Sequence, residues 1–269
     1  IKDSRLAEEY LRVEHPSGLT MLLYPMKGFS TAYAMFSTKY GSIDTCFQRG
    51  EDADFVKMPE GIAHYLEHKM FESEEGDAFE KYAQTGASAN AFTSFDKTCY
   101  LFACTDRFQE SLEILLDCVT HSYFTKETVE KEQGIIGQEI RMYEDDPGWR
   151  VMFNLLQSLY QNNSVKVDIA GSIESIAQID AELLYRCYHT FYNLHNMVLT
   201  IAGNFDPQQV IESANKILKP AEPYSVKPRR SRHRCAESAL CSICRWRCRC
   251  SISALRVQTR ANAKTSAIC

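Results

Sequence analysis

Residues 64–68 read His-Tyr-Leu-Glu-His, two residues after the turn-like segment 58–61, Met-Pro-Glu-Gly. On a helix, His64 and His68 are four residues apart, so their imidazoles leave from one face. Two neutral imidazole nitrogens at that spacing can bind one Zn²⁺ at ~2.0–2.1 Å. Glu67 projects beside them and can accept a proton from water on the metal. We therefore expect a zinc site here, rather than a surface helix with two solvated histidines.

A catalytic zinc usually needs a third protein ligand. The candidate segment is 125–144, an acidic stretch with helical character, in which Glu132 and Glu139 are seven residues apart and share a face. One of the two could bind zinc while the other orients the ligands. Spacing alone does not choose between Glu132, Glu139 and Glu144, and a plain solvated helix is the simpler alternative.

With its H-x-x-E-H run and the later E-K-E-Q-G-I-I-G-Q-E segment, the chain resembles the pitrilysin/insulinase family of zinc metallopeptidases, the inverzincins. It is most similar to the bacterial branch related to the mitochondrial processing peptidase. The resemblance implies His64 and His68 as zinc ligands, Glu67 as the general base and Glu139 as the third ligand. It also implies that Glu132 is an acidic residue supporting the ligands, with one zinc ion per chain.

Residues 86–93 read Gly-Ala-Ser-Ala-Asn-Ala-Phe-Thr and carry a further part of the resemblance. In this family the corresponding strand flanks the metal and pairs with the substrate backbone. The implied substrate-binding residues are Asn90, Ala91, Phe92 and Thr93. A substrate that must lie extended along a strand is a peptide or an unfolded segment.

Period-two patterns predict strands, and period-3.6 patterns predict helices. Alternation predicts strands at residues 19–24 and 31–38, a strand or hairpin is predicted at 92–103, and a buried-looking apolar run predicts a strand at 196–202. The predicted helices include 149–160, 176–193 and 207–218. This mixture predicts an α+β fold, a two-layer sandwich with helices on one side of a largely antiparallel sheet. The resemblance implies the same LuxS/pitrilysin-like architecture for each half of a family member.

Of the 269 residues, 45% are hydrophobic, and the formal net charge is −5. No run of eighteen apolar residues occurs, so we expect no membrane span and no membrane partner. The polar N-terminal residues do not resemble a signal peptide, so a cytoplasmic location is expected. We expect no nucleic-acid partner.

The composition changes near Lys227. Residues 227–269 hold eleven Lys and Arg against one acidic residue, Glu237, together with six of the eleven cysteines. We expect two units: a zinc metallopeptidase domain at 1–226 and a basic, Cys/Arg-rich tail at 227–269, either disordered or an out-of-frame translation. A small metal module at Cys241 and Cys244, or a basic binding arm, is less favoured.

The resulting hypothesis is a zinc-dependent metalloendopeptidase that hydrolyses peptides or unfolded segments, with Glu67 as the base. The alternatives are a non-catalytic, peptidase-like binding subunit, or a truncated half that is inactive without its C-terminal partner. The family pairs two homologous halves, so we expect a second half or a homo- or heterodimer partner.

Overall fold

The computed structural model describes residues 2–3, 8–50 and 52–229. The strands are β1 (Lys2–Asp3), β2 (Glu8–Glu9), β3 (Leu11–Glu14), β4 (Thr20–Pro25), β5 (Ala32–Thr38), β6 (Cys46–Arg49), β7 (Val56–Lys57), β8 (Glu72–Ser73), β9 (Gly76–Asp77), β10 (Ser88–Thr93), β11 (Thr98–Cys104), β12 (Met197–Gly203) and β13 (Val226–Pro228). The helices are α1 (Ile62–Lys69), α2 (Ala78–Thr85), α3 (Phe108–Thr120), α4 (Lys126–Glu144), α5 (Pro147–Leu159), α6 (Ile173–Ile176), α7 (Ala181–Phe191) and α8 (Pro207–Ile217), with 3₁₀ turns at Ser164–Lys166 and Leu194–Asn196.

Six strands form the central sheet in the order β10-β11-β5-β12-β4-β3. All neighbours pair antiparallel except β12 and β4, which run parallel. The predicted strands 19–24, 31–38 and 196–202 each agree with an observed strand to within one residue at both ends. The predicted segment 92–103 covers the end of β10 and most of β11 but misses the first four residues of β10. β10 is an edge strand, with β11 as its single strand partner in this sheet.

The helices cover one face of this sheet. In β5, Ala32, Ala34 and Phe36 are buried, whereas Tyr33, between them, is exposed. Helix α3 packs on β11 and β5, and α1 packs on β10 and β11. The expected α+β fold, with a mostly antiparallel sheet and helices on one side, is confirmed.

The predicted helix 176–193 is wrong in its first part. Helix α6 ends at Ile176, and α7 begins only after Asp180, whose side chain accepts a hydrogen bond from the Leu183 backbone N–H. An Asp that caps a helix in this way adopts an extended backbone, which interrupts a continuous helix. Apolar spacing alone did not reveal this break.

Strand β13 spans the expected boundary between residues 226 and 227 and pairs with β6. Residues 230–269, which make up nearly all of the expected tail, lie outside the described residues, so the tail remains a prediction. Among the helices that the structure describes, none is long and apolar enough to cross a bilayer.

Candidate metal centre

Helix α1 begins at a backbone position that only glycine fits. Gly61 caps the helix with φ 87°, in the left-handed region. A Cβ at Gly61 would lie 2.3 Å from the carbonyl oxygen of Ala170. This close approach places the loop before α6 against the start of α1, one turn from His64.

His64 and His68 face the same side of α1, and their ring centroids are 4.7 Å apart. Glu139 of α4 lies opposite them. Its Oε2 is 3.6 Å from His64 Nε2 and 3.2 Å from His68 Nε2. One ligand atom from each of these three residues falls within 4.8 Å of the other two, so the structure brings together the three residues that the family resemblance implies as ligands.

Helix α4 supplies all three acidic candidates, and two of them, Glu132 and Glu139, contact His68. Glu132 is buried and its Oε1 lies 2.9 Å from His68 Nδ1, on the far side of that ring from Glu139. Glu144 is exposed. Among the described residues, only Glu139 joins His64 and His68 as a possible ligand group.

A capping box defines where α4 begins, and a hydrogen bond from α1 fixes the position of that first turn. Thr125 caps α4 with a reciprocal capping box involving Thr128. The Tyr65 hydroxyl donates to the backbone carbonyl of Val129 at 2.5 Å. Tyr65 is fully buried, so this bond sets the position of the first turn of α4 against the motif helix.

The charges of the centre favour a bound cation. Hydrogen bonds from His64 and His68 hold the pKa of the Glu139 carboxyl well below its usual range. Burial alone lowers the pKa of His68, but hydrogen bonds to Glu132 and Glu139 outweigh burial and raise it to about 10. The carboxylates of Glu132 and Glu139 lie beside the His68 imidazole, and two imidazoles with a carboxylate match zinc's preferred donors.

Glu67 is buried beside the ligands and is held by the sheet. Thr93 Oγ1 donates to Glu67 Oε2 at 2.8 Å. Thr93 ends β10, so the edge strand contacts the proposed base directly. Along β10, Asn90 and Phe92 are exposed, and Ala91 is half-buried.

The sequence reasoning missed an aromatic group next to Glu139. Tyr143, one helical turn beyond Glu139, stacks on Trp149 at 4.5 Å, and Trp149 Nε1 donates to Asp168 Oδ2 at 2.5 Å. Tyr143, Trp149 and Asp168 line a cavity of about 620 Å³. Burial and the charge of Glu139 raise the pKa of Tyr143 to about 12. The sequence could have indicated this neighbour, because Glu139 and Tyr143 are four residues apart and therefore share a face of a helix.

Comparison with known families agrees with this geometry. The family described as "Insulinase (Peptidase family M16)" matches residues 51–172, and "Peptidase M16 inactive domain" matches residues 178–237. The first match contains the motif helix, the edge strand and Glu139.

Curated relatives carry zinc-protease names. The chain is 46% identical over 228 residues to the uncharacterized zinc protease YmfH of Bacillus subtilis, covering 85% of this chain and 53% of that protein. It is 33% identical over 149 residues to the uncharacterized zinc protease YmxG of the same organism, covering 54% of this chain and 36% of that protein. The chain thus spans about half the length, or less, of these relatives.

Solved structures show the same fold. An M16-like peptidase from Alicyclobacillus acidocaldarius matches with a TM-score of 0.78 and 42% identity, over 82% of this chain and 52% of that one. The first half of the periplasmic protease PqqL from Escherichia coli has the same fold at 22% identity, with a TM-score of 0.70 over 84% of this chain and 49% of that one. The chain belongs to peptidase family M16, the insulinase family, and corresponds to the N-terminal half of an M16-like protein.

Proposed function

We propose that this chain is the metal-bearing half of a zinc-dependent metalloendopeptidase. The observation that carries the proposal is the convergence of His64, His68 and Glu139, with Glu67 buried next to them. His64 Nε2, His68 Nε2 and a Glu139 carboxylate oxygen would hold one zinc ion. When bound, zinc supplies Lewis acidity that polarises the scissile carbonyl and makes water more acidic.

Glu67 acts as the general base. Thr93 occupies its Oε2, which leaves Oε1 to accept a proton from the attacking water. The same carboxyl can then return that proton to the leaving amine. Because Thr93 and Glu67 come from different elements, the hydrogen bond fixes the direction of the base before substrate arrives.

The edge strand β10 selects extended substrates. Its free edge can pair with a peptide as an added strand, so main-chain hydrogen bonds would provide most of the affinity. The exposed Asn90 and Phe92 lie where they can meet side chains of such a peptide. The proposed substrates are therefore peptides and unfolded segments.

We also propose that a second half completes the active unit. The chain spans about half the length of its relatives, and a homologous half, or a dimer partner, would enclose the substrate. The alternative of a non-catalytic binding subunit is less favoured, because the proposed ligands and the proposed base are all present and brought together.

The decisive test compares the wild type with Glu67→Gln. Both proteins are loaded with zinc and incubated with a library of unstructured peptides, and products are read by mass spectrometry. We expect both to bind one zinc and only the wild type to cleave. Cleavage by both proteins would remove Glu67 as the base. Zinc binding without cleavage by either would favour a half that needs its partner.

Metal analysis of single variants tests the ligand set. We expect His68→Ala and Glu139→Ala to lose tight zinc binding, since each removes one of three protein ligands. Tight zinc binding by Glu139→Ala would transfer the third-ligand role to Glu132.

A further inference from the structure

Lys69 directly follows the ligand His68, and its side chain is fully buried. Lysine is almost never fully buried in proteins unless its charge is paired. Removing an ammonium group from water costs several kcal/mol. A buried charge at this position therefore needs compensating contacts.

Two contacts hold the Lys69 ammonium group. It forms an ion pair with Glu72, in the strand after α1, and donates to the backbone carbonyl of Thr128 at 3.3 Å. Thr128 lies in the first turn of α4. Lys69 therefore connects the end of the motif helix to the beginning of the helix that carries Glu132 and Glu139.

Glu132 lies one helical turn after Thr128. Its carboxylate contacts His68 Nδ1 at 2.9 Å, whereas His64 Nδ1 is buried with no hydrogen-bond partner among the described residues. Of these two imidazoles, therefore, only that of His68 has a partner at its Nδ1 atom among the described residues. A metal-ligating histidine usually donates its second ring N–H to such a partner.

We propose that Lys69 is a positioning residue of the metal centre. By binding the Thr128 carbonyl, it holds the first turn of α4 where Glu132 can orient His68 for the metal. The inference rests on the proposed function, because it needs His68 to be a ligand. It adds a residue that neither the motif nor the family match assigns.

The test measures zinc affinity by competition with a chelator, and ligand geometry from the visible absorption of the Co²⁺-substituted protein. We expect Lys69→Met to weaken zinc binding about tenfold or more, as loss of an outer partner of a ligand does, and to change the cobalt spectrum. Lys81→Met is the matched control. Lys81 also pairs with a glutamate, at 3.0 Å, but is partly exposed and belongs to α2, which carries none of the proposed ligands. Its affinity should equal that of the wild type.

A double-mutant cycle separates positioning from general destabilisation. If Lys69 acts through Glu132, adding Lys69→Met to Glu132→Gln should change zinc affinity by no more than about twofold, because coupled residues are not additive. Full additivity of the two effects would overturn the proposal.

Further outcomes are also decisive. Unchanged zinc affinity and cobalt spectrum in a folded Lys69→Met would overturn the inference but leave the proposed function intact. Failure of the wild type to bind zinc would overturn both. If Lys69→Met does not fold, Glu72→Gln takes its place, since it removes the ion-pair partner from a partly exposed position. Weaker zinc binding supports the inference, and wild-type affinity overturns it.

Discussion

Thr93 and Glu67 are 26 residues apart in the chain, yet the threonine hydroxyl lies 2.8 Å from the glutamate carboxylate. A hydrogen bond to a charged group contributes about 1.5–3 kcal/mol. Here that free energy holds the proposed base in one orientation. Lys69 and Glu132 do the same for His68. At this scale, the site consists of charged groups that neighbouring elements keep in place.

Thr93→Val should reduce kcat about tenfold while zinc affinity stays unchanged, because the substitution keeps the side-chain shape but removes one hydrogen bond to a charged group. Peptide hydrolysis and chelator competition measure the two quantities. Thr93→Ser, which keeps the hydroxyl, should retain most of the activity. An equal loss of kcat in Thr93→Ser would show that packing of the methyl group, and not the hydrogen bond, matters.

Asp44 predicts a pH dependence of stability. Burial raises the pKa of its carboxyl to about 6, so the folded state binds this proton more readily than the unfolded state does. That contribution to stability is full below about pH 4 and disappears as pH rises through 6. Asp44→Asn, which keeps an acceptor for the Gly41 N–H, should therefore raise the free energy of unfolding at pH 7 by about 3 kcal/mol.

Urea unfolding at pH 4 and pH 7 measures this effect, with Asp54→Asn at an exposed position as the control. The gain for Asp44→Asn should be larger at pH 7 than at pH 4. An equal gain at both pH values would contradict the role of the buried carboxyl.

At the scale of elements, the metal centre depends on the position of α1 relative to the elements that pack against it. Its start is packed against Ala170, and its middle and end are joined to α4 through Tyr65 and Lys69, respectively. The fully buried Tyr65 and Leu66 fill the interior next to the ligands. A small displacement of either end of α1 would move both imidazoles together.

Gly61→Ala should lower the free energy of unfolding by more than about 3 kcal/mol, because it combines left-handed backbone strain with a collision against Ala170. Gly28→Ala is the matched control. Gly28 has φ 93°, but nothing lies within 4 Å of its Cβ position, so only the strain of about 1 kcal/mol should remain. Equal losses in urea unfolding would show that the contact with Ala170 costs nothing.

At the scale of the whole molecule, metal binding and folding are linked. The ligands come from α1 and α4, which pack against each other in the folded chain. An ion that binds only the folded state stabilises it in proportion to its occupancy. The same reasoning applies to a second half that docks on this domain.

Zinc at a free concentration 1,000 times its Kd should raise the free energy of unfolding by about 4 kcal/mol. Urea unfolding with and without zinc measures the difference. Magnesium, which prefers oxygen ligands, should have little effect. Glu139→Ala should abolish the zinc effect, and an undiminished effect in that variant would place the binding site elsewhere.

Local sequence determined much of this protein. Helical spacing was enough to put His64 and His68 on one face. Alternating apolar residues were enough to predict β4 and β5, and an apolar run was enough to predict β12. These predictions depend only on the pattern of residues within a single helix or strand. The same local patterns missed the break at Asp180, where a capping side chain outweighs apolar spacing.

Only the tertiary structure decided which faces meet. It placed Glu139 rather than Glu144 opposite the histidines, Thr93 against Glu67, and Lys69 against Thr128, 59 residues away. A period shows which residues share a face of one element. Packing of the whole core determines which face of a second element meets that face. This packing depends on residues that are distant in the chain.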